Sequence, residues 1–177
     1  MEMAEIALMS AVLCIIAPFS IPVPMSPVPL SLATFAVYLA GILLGARKGV
    51  ICVLLYLLLG MAGLPVFSGF SGGVGILLGP TGGYLLGYLP CVAAVGWLTN
   101  RKPCKKSNLR NLVALVLGTM VCYVFGSWWF FCVMGKSYTP AQTVALCVVP
   151  YLPLDMVKIV LANVTIVPLR KRLQQWK

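Results

Sequence analysis

The sequence contains no histidine and only three acidic residues in 177 positions. Imidazole is therefore absent as an acid–base catalyst or metal ligand, and paired carboxylates are scarce. No GxxxxGK[ST] phosphate-binding loop occurs, so the chain carries no recognisable ATPase motif. With no nucleophile–base constellation in sight, we expect that the chain is not an enzyme, holds no metal and has no cofactor of its own.

Cysteine pairs and charged residues are also scarce. Seven cysteines are scattered singly without a CxxC motif, which favours small apolar residues over a zinc or disulfide framework. Charged residues make up 9% of the sequence, against roughly 25% in soluble domains. Hydrophobic residues make up 61%, and the mean hydropathy is +1.02. Water could not solvate such a surface, so we predict a multi-pass protein of the cell membrane, embedded in the lipid bilayer.

Six apolar segments predict an all-α integral membrane protein with six transmembrane helices. They cover residues 3–19, 30–45, 50–63, 83–98, 112–134 and 143–169. Several are shorter than the roughly 20 residues of an ideal span, so loop residues are expected to enter the membrane. We expect a single transmembrane domain over residues 1–177.

The basic residues predict the orientation of these helices. They follow the second, fourth and sixth segments, whereas the connections after the first, third and fifth segments are nearly uncharged. The basic positions are Arg47, Lys48, Arg101, Lys102, Lys105, Lys106, Arg110, Arg170, Lys171, Arg172 and Lys177; the exceptions are Lys136 and Lys158. The positive-inside rule then places both termini in the cytoplasm and the uncharged loops outside. This pattern also accounts for the net charge of +10 without a nucleic-acid partner.

Asp155 and Lys158 are candidate ligand-binding residues inside the sixth segment. A spacing of three places both side chains on one helix face, and charged groups at membrane depth usually face a cavity or a partner. The alternatives are a structural ion pair and a polar site in which Asp155 accepts N–H groups and Lys158 donates. Pro150 and Pro153 precede the pair and predict that the regular helix starts near Leu152.

The connection between the third and fourth segments is rich in glycine. Eight glycines occur in residues 63–83, together with Ser68, Ser71 and Thr81. Backbone that is not hydrogen-bonded at membrane depth must be sheltered by protein or by a water-filled cavity. We therefore expect this segment to fold over the helices as an outer lid. Gly82 and Gly83 would allow close backbone approach before Tyr84, although glycines at GxxxG spacing also serve helix packing.

Ala7 and Ala11 place a small-xxx-small pattern on the first segment. On this pattern alone, packing within the chain is the simpler interpretation, and contact with another subunit is the alternative.

Three stretches resemble the BioY family, the biotin-binding S components of energy-coupling factor (ECF) transporters. They are SPVPLSLATFAVYLAGILLGARKG at 26–49, GLPVFSGFSGGVGILLGPTGGYLLGY at 63–88, and PYLPLDMVKIVLAN at 150–163. The resemblance implies six transmembrane helices, a biotin pocket near the outer face, and partnership with a transmembrane coupling subunit and two ATPase subunits, which alone would use ATP. It also implies that Asp155 and Lys158 bind biotin, that Ala7 and Ala11 contact the coupling subunit, and that the glycine-rich loop covers the pocket.

Two positions depart from the family pattern. Ser71 stands where some relatives carry an asparagine that contacts the bicyclic ring, and Leu85 stands where some carry an arginine suited to the carboxylate. Lys158, the backbone N–H groups around residues 79–83, and Tyr84 are then the candidates for the carboxylate.

The sequence thus predicts a membrane subunit that captures biotin from outside and delivers it inward with an ATP-driven coupling module. Two alternatives are an S component for a different vitamin and an autonomous secondary transporter that uses Asp155 as an ion site.

Overall fold

The computed structural model describes residues 2–22, 28–100, 107–135 and 139–175. The helices are α1 (Glu2–Ile16), α2 (Ala33–Met61), α3 (Val74–Leu78), α4 (Gly82–Asn100), α5 (Ser107–Met134), α6 (Pro140–Cys147) and α7 (Leu152–Gln175). The predicted all-α class is confirmed, with one addition: two short strands, β1 (Ser20–Ile21) and β2 (Leu30–Ser31), pair antiparallel. The basic segment 101–106, Lys136 and residues 176–177, which entered the topology prediction, lie outside the described residues.

Three helices in the described part of the chain are long and apolar enough to cross a membrane: Ala33–Met61, Gly82–Thr99 and Leu109–Met134. A fourth candidate is the bent pair Pro140–Cys147 and Leu152–Thr165, whose axes differ by 47°. By length and composition, these helices agree with the predicted multi-pass membrane protein. The predicted count of six differs from this count because α2 contains two of the predicted segments and α1 has only 15 residues.

Helix α2 is a helical hairpin that turns at Gly45. This residue has φ 81° and ψ −178°, outside the helical region. A Cβ built on Gly49 would lie 3.4 Å from the carbonyl oxygen of Ala40, whereas these residues would be about 13 Å apart along a straight helix. The chain therefore reverses, and the two arms, 33–44 and 46–61, correspond to the second and third apolar segments of the sequence.

Gly45→Ala should destabilise the protein by about 1–3 kcal/mol, because the backbone conformation at Gly45 is open almost exclusively to glycine. Thermal unfolding of the purified protein in lipid nanodiscs measures this effect. Gly75→Ala is the matched control, since Gly75 lies in α3 with no atom near the position of an added Cβ. Equal melting temperatures for the Gly45→Ala variant and the parent would contradict the assigned turn.

Helix α4 lies at the centre of the bundle, where it packs against α2 and α5. Close approach depends on small residues: a Cβ on Gly41 of α2 would lie 2.9 Å from Val95, and a Cβ on Gly83 would overlap the side chain of Trp129 in α5. Gly87 likewise faces Cys122 of α5. Because lipid supplies no hydrophobic force between helices, this close van der Waals packing holds the bundle together. The helix-packing interpretation of the GxxxG spacing thus applies to Gly83 and Gly87.

The sixth predicted segment divides into α6 and α7. Thr139 caps α6 through a reciprocal capping box with Gln142, and Pro140 occupies the first turn. The backbone then turns at 148–151 and resumes as α7 at Leu152, the start that the prolines predicted. This break places Asp155 in the first turn of α7.

Charged residues mark one end of the bundle. Lys48, just after the turn of α2, forms ion pairs with Glu2 (2.9 Å) and Glu5 (3.3 Å) in the first turns of α1. Arg110 near the start of α5 donates to the carbonyl oxygen of Thr99 near the end of α4. The opposite end, where α2 and α7 begin, carries the cavity described next.

Candidate functional site

A cavity of about 230 Å³ lies at the end of the bundle where α2, α4 and α7 begin. This volume is slightly below the roughly 300–1,000 Å³ of typical small-molecule sites. Its walls come from residues 28–34, the segment 67–81, the start of α4, Tyr123 of α5, and the α6–α7 region. Aromatic and aliphatic side chains predominate, so the polar groups among them fix how a ligand is oriented.

Asp155 and Lys158 form the charged part of the cavity wall. Their side chains are 2.8 Å apart, and the two residues are only 6% and 7% exposed. Tyr123 donates a hydrogen bond to Oδ2 of Asp155, while Lys158 donates to Oδ1. Two isolated charges would be very costly here, but pairing and hydrogen bonds make their burial tolerable. The pair carries no net charge.

The ammonium of Lys158 has two further acceptors. It donates to the carbonyl oxygen of Ser31 at 2.7 Å and to the hydroxyl of Thr34 at 3.2 Å. An ammonium has three N–H groups, so protein acceptors occupy all of them. The carboxylate of Asp155 still has lone pairs available, because it has about four acceptor positions and two partners. The charged pair therefore offers an incoming ligand more acceptor than donor capacity.

Residues 28–31 are fixed between α1 and α7. Tyr151 donates to the carbonyl oxygen of Val28, and Ser31 donates to the carbonyl oxygen of Ala17 at 3.0 Å. Together with the bond from Lys158 to Ser31, these contacts hold one wall of the cavity against the α7 side. Backbone carbonyl groups thus help to assemble the site, and a sequence motif of side chains could not predict them.

The glycine-rich segment supplies another wall. Phe67 is fully buried and stacks edge to face on Tyr56, with ring centroids 5.5 Å apart. Its backbone pairs with Ser71, which lines the cavity and donates to the carbonyl oxygen of Ser68 at 2.8 Å. Phe67 therefore anchors this segment over the cavity, and Ser71 lies on its inner surface.

The start of α4 contributes Tyr84 and Leu85 to the wall, but not Gly82 or Gly83. Tyr84 shares a hydrogen bond with Ser127 at 3.3 Å and donates to the carbonyl oxygen of Cys147 at 3.4 Å. A Cβ on Gly82 would overlap the backbone of Leu77, as one on Gly83 would overlap Trp129. Both glycines thus have a packing reason for lacking a side chain, and their contact with a ligand stays a prediction.

Ala7 and Ala11 lie away from the cavity on an exposed face of α1. The side of α1 that packs on the rest of the chain instead carries Ile6, Met9 and Leu13. Packing within the chain, the simpler sequence interpretation, does not account for the two alanines.

The arrangement of polar groups in an apolar cavity suits a small polar molecule. In the ranges that the structure describes, no group of three His, Cys, Asp or Glu side chains is positioned to hold a metal ion.

Comparison with known proteins assigns the family. The model of the BioY family matches residues 1–175. The chain belongs to the BioY family. The Thermotoga maritima protein named Biotin transporter BioY is 34% identical over 151 residues, which cover 85% of this chain and 86% of the relative. The Pyrococcus horikoshii protein named Probable biotin transporter BioY is 36% identical over 157 residues, covering 89% and 88%.

A solved structure supports the same assignment. The crystal structure described as the S-component for biotin from an ECF-type ABC transporter superposes with a TM-score of 0.85 at 28% identity. The match covers 96% of this BioY-family chain and 90% of that chain. The family resemblance in the sequence is therefore confirmed, as is the prediction of a transport component rather than an enzyme.

The sequence analysis did not identify several residues that line the cavity of this BioY-family chain. Thr34, Tyr88, Tyr123 and Tyr151 all line the cavity, yet each lies in an apolar context where packing is the ordinary interpretation. The available signal was the tyrosine hydroxyl, since a buried tyrosine usually needs a hydrogen-bond partner.

Proposed function

We propose that this chain captures biotin from the outer side of the membrane and delivers it inward as the S component of an ECF transporter. The observation that carries the proposal is the cavity with its buried Asp155–Lys158 pair, in a chain of the BioY family. Relatives named biotin transporters cover most of the chain, which supports biotin as the ligand.

The topology that we propose has six membrane crossings in a single domain over 1–177. They are α1, the two arms of α2, α4, α5, and the bent α6–α7 pair. An even number puts both termini on the same side, and Lys48 after the turn of α2 and Arg110 near the start of α5 agree with a cytoplasmic location of that end. The cavity then faces outward, with the glycine-rich segment 63–83 as its lid.

In the proposed site, Asp155 accepts an N–H of the ureido ring through its remaining lone pairs. Lys158 stays paired with Asp155 and exchanges its longest contact, to Thr34, for a ligand oxygen. Ser71 and Tyr84 contact the ligand from the lid and from α4, while Gly82 and Gly83 let the lid approach α4 closely. Such a site holds the ring by matched hydrogen bonds inside an apolar enclosure.

The proposed partners are a transmembrane coupling subunit and two ATPase subunits. The sequence has no nucleotide-binding motif, so ATP would be used by the partners alone. The exposed alanine face of α1, with Ala7 and Ala11, is the surface that we assign to the coupling subunit, because small side chains allow helices to approach closely.

Binding of labelled biotin to the purified chain in lipid nanodiscs tests the proposal directly. We expect saturable binding that unlabelled biotin displaces and that riboflavin or thiamine does not. Absence of saturable biotin binding, or equal displacement by another vitamin, would overturn the assignment. Biotin uptake by liposomes that hold this chain alone, driven by an ion gradient, would instead indicate a secondary transporter.

A further inference from the structure

Five buried residues with hydroxyl groups line the cavity, and four of them have partners. Tyr123 donates to Asp155, and Tyr151 donates to Val28. Ser31 donates to Ala17, and Tyr84 donates to Cys147. The fifth is Tyr88, whose hydroxyl has no hydrogen-bond partner among the residues that the structure describes.

Tyr88 is nevertheless almost completely buried, at 5% exposure. It follows Tyr84 by four residues on α4, so the two rings lie on one face of the helix, and both line the cavity. The hydroxyl of Tyr88, unlike that of Tyr56, is not completely enclosed by protein, and Tyr88 lines the cavity. Tyrosine is an amphipathic side chain, and the hydroxyl is the part that could hydrogen-bond to cavity contents.

The cavity has few free hydrogen-bond donors for a ligand, and the hydroxyl of Tyr88 could supply one. The three N–H groups of Lys158 are occupied by protein acceptors, and the proposed function releases only the one that contacts Thr34; Asp155 is an acceptor only. A ureido ring has N–H donors that suit Asp155 and a carbonyl oxygen that needs a donor. The O–H of Tyr88 is a donor on the cavity wall, and no acceptor in the described part of the chain binds it.

We propose that Tyr88 is a ligand-binding residue that donates a hydrogen bond to the neutral carbonyl oxygen of the bound ring. This inference rests on the proposed function, because it takes a cyclic urea as the ligand. Tyr88 then donates to the carbonyl oxygen of the ring, while Asp155 accepts from an N–H group of the same ring. The site therefore selects molecules in which a hydrogen-bond donor and an acceptor are adjacent.

Tyr88→Phe tests the inference because it removes one oxygen and keeps the ring packing. We expect biotin affinity to fall about tenfold or more, the scale of one lost hydrogen bond in a closed site. The melting temperature of the unliganded protein should stay unchanged or rise, since no protein contact is lost. Equilibrium binding and thermal unfolding are measured on the same nanodisc preparations.

Tyr56→Phe is the matched control. The hydroxyl of Tyr56 is fully buried and has no partner in the described ranges, and Tyr56 does not line the cavity. Its removal should leave biotin affinity unchanged. An equal loss of affinity in the Tyr56 and Tyr88 variants would show a general packing effect and overturn the inference.

A ligand analogue supplies the second readout. The thiourea analogue of biotin replaces the ring oxygen with sulfur, a weaker acceptor, so the parent protein should prefer biotin and the Tyr88→Phe variant should discriminate less. Unchanged discrimination, or unchanged biotin affinity of Tyr88→Phe, would overturn the role of Tyr88 alone. Failure of the parent to bind biotin would overturn the proposed function instead.

Discussion

Replacing Lys158 by methionine is expected to weaken biotin binding by about 100-fold or more and to lower the melting temperature of the unliganded protein. The substitution keeps most of the side-chain volume but leaves Asp155 buried without its countercharge. Breaking a buried pair in this way costs about 3–5 kcal/mol, and 100-fold in affinity corresponds to about 2.7 kcal/mol. The carbonyl oxygen of Ser31 also loses its donor, so the wall at residues 28–31 loses a contact with α7.

The double variant Asp155→Asn with Lys158→Met separates stability from recognition. Removing both charges leaves no unpaired ion in the interior, so the melting temperature should recover much of the loss seen for Lys158→Met alone. Biotin affinity should remain low, because a carboxylate acceptor no longer faces the ureido N–H groups. Thermal unfolding and equilibrium binding in nanodiscs measure the two effects separately. Recovery of tight binding in the double variant would show that the pair is structural and that the ligand is held elsewhere.

Tryptophan at Ala7 or Ala11 should abolish assembly with the coupling subunit and therefore ATP-dependent biotin uptake. Both alanines lie on the exposed face of α1, where a large ring would prevent close approach of a partner helix. Biotin binding by the isolated chain should be unchanged, because neither alanine lines the cavity. Co-purification with the coupling subunit and the ATPases measures assembly, and labelled biotin measures binding.

Val124→Trp is the control for bulk on an exposed surface. Val124 is 71% exposed on α5, and α1 packs chiefly against α2, so the added ring should leave assembly intact. If the Ala7 and Ala11 variants lost biotin binding while the Val124 variant did not, the alanine face would serve packing within the chain. That result would contradict the assigned docking surface.

The helical segments were largely predictable because lipid imposes one strong rule on sequence. A spanning backbone must bond internally, so apolar length and flanking charge mark the helices. The reversal after the second segment was predicted, because one apolar segment ended at Gly45 and the next began at residue 50, with Arg47 and Lys48 between them. The sequence did not show that the turn is centred on a single residue. That reversal depends on the backbone angles of Gly45 and on packing of both arms against α4.

The candidate site was predictable only where charge stood out from the apolar background. Asp155 and Lys158 were conspicuous because an ion pair inside a membrane segment is expensive and rare. Ser31 contributes a backbone carbonyl, which every residue has, so nothing in its side chain indicated a contact with Lys158. Tyr88 and Tyr123 were hidden for another reason: the hydrophobic pattern that places a tyrosine in a core also places it on a cavity wall.

The opposite charges of Asp155 and Lys158 cancel, and this affects the electrical work of moving a ligand across the membrane. Among the described residues that line the cavity, no other side chain is charged, so an occupied cavity carries the charge of its ligand. Biotin is an anion at neutral pH, and its inward delivery under the proposed function runs against an interior-negative potential. Each elementary charge carried through the full potential costs about 2.3 kcal/mol per 100 mV. Uptake would therefore be electrogenic, and ATP hydrolysis in the partner subunits would supply the electrical work as well as the work of concentration.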